Sequence, residues 1–182
     1  MTARSFSLLV AGLAFDVSGA SALVYQVAGQ RILALHTGVG IASIAMIVAA
    51  FMAGIGAGSH LGGVLSTRLS PRGALRAFAL LEVGIAVFGA LSCGLYYDLL
   101  YVRLNALGRS PAVALLVIFA SLLWPTMLMG LSLPLLSRAM VREVEGAAGL
   151  IGLLNGINIF AAGVGALVSG YYLIGTFGFE RT

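Results

Sequence analysis

The chain has 182 residues, of which 60% are hydrophobic and 9% are charged, and its formal net charge is +4 at pH 7. A soluble domain carries about 25% charged residues, so this chain has too few charges to cover a surface exposed to water. The composition excludes a soluble enzyme and indicates a protein whose main solvent is lipid.

The basic residues are all arginines, and they are spread over several short segments of the chain. They form no basic patch with interleaved aromatic residues, so we do not expect nucleic acid as a partner. The single cysteine, Cys93, cannot form an internal disulfide or a cysteine metal cage. His36 and His60 have no matching set of ligands, so we expect no metal and no cofactor.

Long apolar segments follow one another along the chain, and each is long enough to span a bilayer. They cover approximately residues 6–27, 40–65, 74–97, 112–138 and 147–174. The sequence therefore predicts a single all-α transmembrane domain over residues 1–182, a polytopic helical bundle with about five spanning helices.

Two acids lie within these apolar segments, where a charge is costly. Asp16 has Gly12 and Ala20 four residues to either side, so we expect it on a small-residue face that points into the bundle. It is either a substrate-binding or proton-carrying carboxylate, or a hydrogen-bonded acid that holds helices together. Glu82 is expected nearer the cytoplasmic end of the third helix, where it can pair with a loop arginine or contribute to a substrate site.

Other polar residues are secondary candidates for ligand contact. Arg31, at the far end of the first helix, is either an anchor that reaches the headgroups or a contact for an anionic substrate. Asn155 and Asn158 in the fifth helix are expected to hydrogen-bond to other helices, and Asn158 is also a candidate substrate contact.

Small residues recur at four-residue steps in the second and fifth helices. Such stripes allow close approach of two helix backbones. The residues are Gly54, Gly58 and Gly62 in the second helix and Ala162, Ala166 and Gly170 in the fifth. If the bundle contains two three-helix repeats, these two helices correspond.

Two prolines, Pro125 and Pro134, interrupt the fourth helix. Each removes a backbone donor and bends the helix, and the freed carbonyls need partners from neighbours or from a cavity. The segment is predicted to be kinked, either as a moving part or as a fixed packing feature.

Arginines on the two sides of the bundle indicate its orientation. One side carries Arg4, Arg68, Arg72, Arg76, Arg138 and Arg142, and the other carries Arg31, Arg103, Arg109 and Arg181. Because cytoplasmic loops are enriched in basic residues, the N-terminus is expected in the cytoplasm.

Several runs resemble the membrane domain of bacterial spermidine-synthase-like proteins. They include residues 18–27 (SGASALVYQV), 50–54 (AFMAG) with the glycines that follow, and 80–85 (LLEVGI). The most specific run is 125–130 (PTMLMG) followed by 133–139 (LPLLSRA), and Asn158 and the small residues of the fifth helix fit the same pattern. The resemblance implies half of a major-facilitator-like bundle in the cell (inner) membrane, without the synthase domain. A sixth helix, usual in that family, is not found, so a partner subunit or a missing helix is expected.

Two hypotheses follow. The chain is a transporter-like membrane module that binds or moves a small cationic metabolite, with polyamine as the class implied by the resemblance and Asp16 as the leading ligand. Alternatively, it is a non-transporting accessory subunit that packs into a larger membrane complex. Catalysis is not expected in either case.

Overall fold

The computed structural model describes residues 3–37, 41–94, 111–141 and 146–177. All the regular structure in these ranges is helical, which agrees with the predicted all-α bundle. The helices are α1 (Ala3–Thr37), α2 (Ile41–Arg68), α3 (Pro71–Gly94), α4 (Pro111–Met140) and α5 (Ala147–Val168). The last continues through a π-helical segment, Ser169–Leu173, into Ile174–Phe177.

Helix α1 is longer than the apolar pattern predicted. It continues about ten residues beyond the expected end, so Arg31 and His36 belong to the helix and not to the connection that follows it. Polar residues at a helix end can be solvated at the headgroups, so hydropathy locates the apolar span and not the end of the hydrogen-bonded backbone. The predicted end of the third helix, residues 95–97, lies outside the described residues.

Within the described part of the chain, four helical segments are long and apolar enough to cross a membrane. They are Ile44–Arg68, Pro71–Ser92, Phe119–Met140 and Ala147–Thr176, and α1 contributes a shorter apolar segment, Leu8–Val24. The chain is a multi-pass membrane protein. Many large side chains face outward, as expected where lipid surrounds the bundle: Phe160 and Leu80, for example, are 75% and 74% exposed.

The helices form two closely packed parallel pairs, α2 with α4 and α1 with α5. In the first pair, Gly54, Gly58 and Gly62 lie against Thr126, Met127 and Leu131 in the same order along both helices. In the second, Gly12 contacts Leu154, and Gly165 lies against the Ala20 backbone. Helix α3 packs on α4 and on α1, so these contacts join the two pairs.

A packed apolar core closes one end of the bundle. Phe15 of α1 and Phe78 of α3 meet edge to face with ring centroids 6.4 Å apart, and Leu135 and Leu136 of α4 are fully buried beside them. The Arg138 Nε donates to the Leu69 carbonyl, 3.2 Å away, where α2 turns into α3. The core therefore lies towards the end of the bundle that carries the arginines of α2, α3 and α4.

Candidate functional site

A cavity of about 610 Å³ lies between the two helix pairs, beyond the core as seen from the arginine end. Four helices line it: α1, α2, α4 and α5. Its volume falls within the range of about 300–1,000 Å³ that is usual for small-molecule sites. Most of the wall is apolar, with Phe15, Phe51, Ile55 and Leu133 as large members. The wall also carries a few polar side chains: Ser18, Gln26, Ser59, Ser132, Asn155 and Asn158.

Glu82 of α3 lies behind this wall and is connected to it by two hydroxyl groups. The Ser132 Oγ on α4 donates to the Glu82 Oε1 at 3.0 Å, and the Ser18 side chain on α1 is also hydrogen-bonded to the Glu82 carboxyl. Both serines line the cavity, whereas Glu82 is not among its lining residues. The predicted alternative of a pair with a loop arginine is not what the structure shows: the carboxyl joins three helices through serines.

The serine hydroxyls on the cavity wall use their protons on other groups of the protein. A hydroxyl has one proton to donate and two lone pairs to accept with. The Ser132 proton goes to the Glu82 carboxylate, a shorter contact than the 3.4 Å to the Leu128 carbonyl. The Ser59 proton goes to the Gly130 carbonyl at 3.2 Å. What these hydroxyls present to the cavity is therefore acceptor lone pairs.

Asn158 also uses a donor on the protein, and its side-chain position depends on a glycine of the facing helix. Its Nδ2 donates to the Phe15 carbonyl at 2.6 Å, and its side chain lies where a Cβ on Gly19 would be. Any larger residue at position 19 would displace the amide. With one N–H used on the backbone, the amide oxygen remains available as an acceptor and the second N–H as a donor. The sequence prediction of an interhelical hydrogen bond for Asn158 describes this contact, and the residue also lines the cavity.

Asp16 is not on the cavity. It is about 160° around α1 from Ser18, since each residue turns the helix by about 100°, and it is absent from the lining residues. Its Oδ1 is buried and has no hydrogen-bond partner within the described part of the chain. The buried Oδ1 agrees with the expectation that Asp16 points into the bundle, and its role as a ligand stays a prediction. The acid that is hydrogen-bonded to the cavity wall is Glu82.

The small-residue stripes of α2 and α5 differ in what their residues face. Gly58 of α2 lies against the Met127 backbone, so the predicted stripe of α2 is a helix contact. On α5 the described contacts with α1 include Leu154, Asn158 and Gly165. Ala162 lines the cavity, Ala166 is half-buried, and Gly170 is on an open face where an added Cβ would meet nothing within 4 Å.

Two remaining predictions concern Arg31 and the prolines. The Arg31 side chain lies outside the described residues, so its role as anchor or ligand stays a prediction. Helix α4 continues through both Pro125 and Pro134. Pro125 is buried, and the Pro134 ring is 3.2 Å from the Cβ position of Gly62. The Pro134 ring is thus a packed element of the α2–α4 contact.

Sequence reasoning missed the serines that give the cavity its polarity. Ser18, Ser59 and Ser132 stand alone in apolar runs, and a single hydroxyl in a membrane helix is common. A signal was nevertheless present, because an acid within an apolar helix needs donors from its neighbours, and serines on neighbouring helices are able to supply them. Which serines face Glu82 depends on the helix pairing, which hydropathy does not determine.

Comparisons of the chain with family models, curated proteins and solved structures found no match.

Proposed function

We propose that this protein is a transporter-like membrane module that binds a small cation in the cavity between its helix pairs. The observation that carries the proposal is the polarity of the wall. Ser132, Ser59 and Asn158 each use a donor on the protein, so the lone pairs that face the cavity suit a ligand with N–H donors. An anion or an acceptor-only ligand would meet the lone pairs of these hydroxyls, and only the amide groups of the wall could donate to it.

Glu82 supplies the negative charge that a cation requires. A carboxylate that accepts two hydroxyl protons polarises both O–H bonds, which makes the serine oxygens better acceptors. The ligand cation is then held through the serines, with no direct ion pair. Ammonium and guanidinium compounds have this chemistry, and polyamines are one such class, suggested by the resemblance to spermidine-synthase-like membrane domains.

The closed core lies between the cavity and the arginine-rich end of the bundle. If the arginine-rich end is cytoplasmic, as the positive-inside rule proposes, then the Phe15–Phe78 contact closes the cytoplasmic side. The cation would be released on that side by separation of α1 from α3 and α4, for which the parallel pairs α1–α5 and α2–α4 are natural rigid units.

Binding of n-butylguanidinium to the full chain in lipid nanodiscs tests the proposal. This probe has N–H donors and stays protonated at all accessible pH values, because a guanidinium loses its proton only in strongly alkaline solution. We expect saturable binding that weakens about tenfold or more in Ser132→Ala, since a hydrogen bond that involves charge contributes about 1.5–3 kcal/mol. Ser92→Ala is the matched control, because the Ser92 hydroxyl donates to the Gly89 carbonyl within α3 and is not on the cavity wall.

Two matched ligands complete this experiment. Butyltrimethylammonium has the same charge but no N–H donor, and butyrate is an anion of similar size. Both should bind at least tenfold more weakly than the guanidinium probe because they cannot donate to the wall. Equal binding of either ligand, or unchanged binding of the guanidinium in Ser132→Ala, would contradict the proposal.

The second candidate function is an accessory subunit, and the open face of α5 favours it. Helix α5 packs mainly on α1. An added Cβ would meet nothing within 4 Å at four of its glycines, Gly149, Gly152, Gly156 and Gly163, and at Gly170 in the π-helical segment that follows. A partner helix could approach such a face closely. Recovery of the chain in mild detergent as a lone, monodisperse monomer that binds the guanidinium probe would count against the subunit function.

A further inference from the structure

Glu82 is connected to the cavity by the hydroxyl groups of two serines. Its carboxyl is hydrogen-bonded to Ser18 and Ser132, and both hydroxyls also line the cavity. Among the described residues, no other side chain both hydrogen-bonds to Glu82 and lines the cavity. Protonation of the carboxyl therefore changes the hydrogen bonding of a bound ligand through the orientation of these two hydroxyl protons.

Protonation of the carboxyl would produce such a change. An ionised carboxylate only accepts, so both serine protons point towards it. A protonated carboxyl donates its own proton, and the serine that receives it must turn its hydroxyl proton elsewhere. For Ser132 the other acceptor within reach is the Leu128 carbonyl, 3.4 Å away, and the lone pair that receives the carboxyl proton is no longer available to the ligand. An ammonium or guanidinium group then loses both an acceptor and the negative charge of the carboxylate.

Glu82 is the one ionisable group that the described contacts connect to this wall. The helices packed against α3 are α4 and α1. On α4 the ionisable group is Arg138, which donates to the Leu69 carbonyl at the arginine end. Helix α1 carries Asp16, on the side away from Ser18, and also Arg4, Tyr25, Arg31 and His36, whose side chains lie outside the described residues. Arg76 of α3 lies six residues before Glu82, towards the same end of the bundle as Arg138. The site therefore has one negative charge to balance.

We propose that the cavity holds one positive charge at a time, either a proton on Glu82 or one cationic ligand at the serine wall, and that the two exchange one for one. This inference rests on the proposed function. As the cation binds, the O–H bond of the Glu82 carboxyl breaks and the proton leaves to water. The carboxylate that remains balances the charge of the bound cation, so the total charge of the site is unchanged.

The single negative charge of Glu82 also indicates which class of ligand the cavity can bind. One carboxylate balances one ammonium or guanidinium group, and the large side chains around it are apolar, including Phe15, Phe51 and Ile55. A second ammonium would lie against this apolar wall without a counter-charge, which is strongly unfavourable. The cavity therefore suits a monocation with an apolar body better than a polyamine such as spermidine.

The test counts protons released when n-butylguanidinium binds to the protein in nanodiscs, with a pH indicator in weak buffer. Because the probe does not titrate, any proton comes from the protein. We expect about one proton per bound probe at pH values where Glu82 is protonated in the free protein, and an apparent Kd that rises about tenfold per pH unit of acidification in that range. Spermidine should bind more weakly than the probe.

Three variants show where the proton comes from. Glu82→Gln keeps the size and a carbonyl oxygen for Ser132, so it should bind the probe weakly, without proton release and without pH dependence. Asp16→Asn removes the other membrane acid and should release protons like the parent protein. The double variant Ser18→Ala and Ser132→Ala keeps Glu82 but removes the hydroxyls, so the proton release on binding should be lost.

The possible failures are distinguishable. If the parent protein binds the probe and releases no proton, or if Glu82→Gln still releases one, exchange is wrong and the proposed binding function stands. Tighter binding of spermidine than of the probe overturns the ligand class. If the folded parent protein binds none of these cations at any pH, the proposed function itself fails.

Discussion

Two membrane acids in this chain have opposite surroundings. Glu82 is hydrogen-bonded to serines of two neighbouring helices, whereas the buried Asp16 Oδ1 has no partner among the described residues. A buried polar atom without a partner costs about 1–3 kcal/mol. A carboxylic acid inside this bundle therefore stabilises helix packing at one position and opposes it at the other.

Replacement of each acid by leucine should therefore change stability in opposite directions. Asp16→Leu removes an unpartnered carboxyl and should raise the free energy of unfolding by roughly 1–3 kcal/mol. Glu82→Leu leaves two serine hydroxyls without their acceptor and should lower it by a similar amount. Thermal unfolding of both variants in the same nanodiscs measures the two changes. A destabilised Asp16→Leu would show that the carboxyl has a structural partner.

The sequence identifies acids but not their surroundings. Asp16 has the more central position and small neighbours at four-residue steps, which favoured it as the ligand. Those same small neighbours, Gly12 and Ala20, lie in the contact of α1 with α5. Glu82 was placed near an arginine because the predicted third helix began three residues later than α3 does. Partner identity depends on pairing between distant helices, which no local pattern contains.

Glycines determine how closely the helices of each pair approach. A Cβ on Gly58 would meet the Met127 carbonyl, and one on Gly130 would meet the Ile55 carbonyl, so the α2–α4 contact has glycine on both sides. The stripe of α2 could be predicted from four-residue spacing. On α5 small residues are abundant all around the helix, so spacing alone does not select the contact face, and Gly170 of the predicted stripe faces open space.

A matched pair of alanine variants tests the role of the α2 stripe. Gly58→Ala forces two backbones apart and should destabilise the protein by about 1–3 kcal/mol. Gly56→Ala, two residues earlier in the same helix, has open space around the added Cβ and should be neutral or stabilising by up to about 1 kcal/mol, because alanine favours helix more than glycine does. Unfolding midpoints in mild detergent compare the two. Equal midpoints would mean that α2 does not pack on α4 through this stripe.

At the scale of the whole molecule, the bundle is closed at one end and hollow beyond it. The two parallel pairs meet at the arginine end through the core of α1, α3, α4 and α5, and farther along they separate to enclose the cavity. The number and approximate bounds of the helices followed from hydropathy. The cavity did not, because it depends on how the pairs diverge and on which face each helix presents.

The most direct test of the account is equilibrium binding of n-butylguanidinium to two proteins that each lack one membrane acid. If the cation is held through the serines and Glu82, Glu82→Gln should weaken binding about tenfold or more, and Asp16→Asn should bind like the parent protein. Full binding by Glu82→Gln together with loss of binding in Asp16→Asn would contradict the account and return Asp16 to the position of the cation ligand.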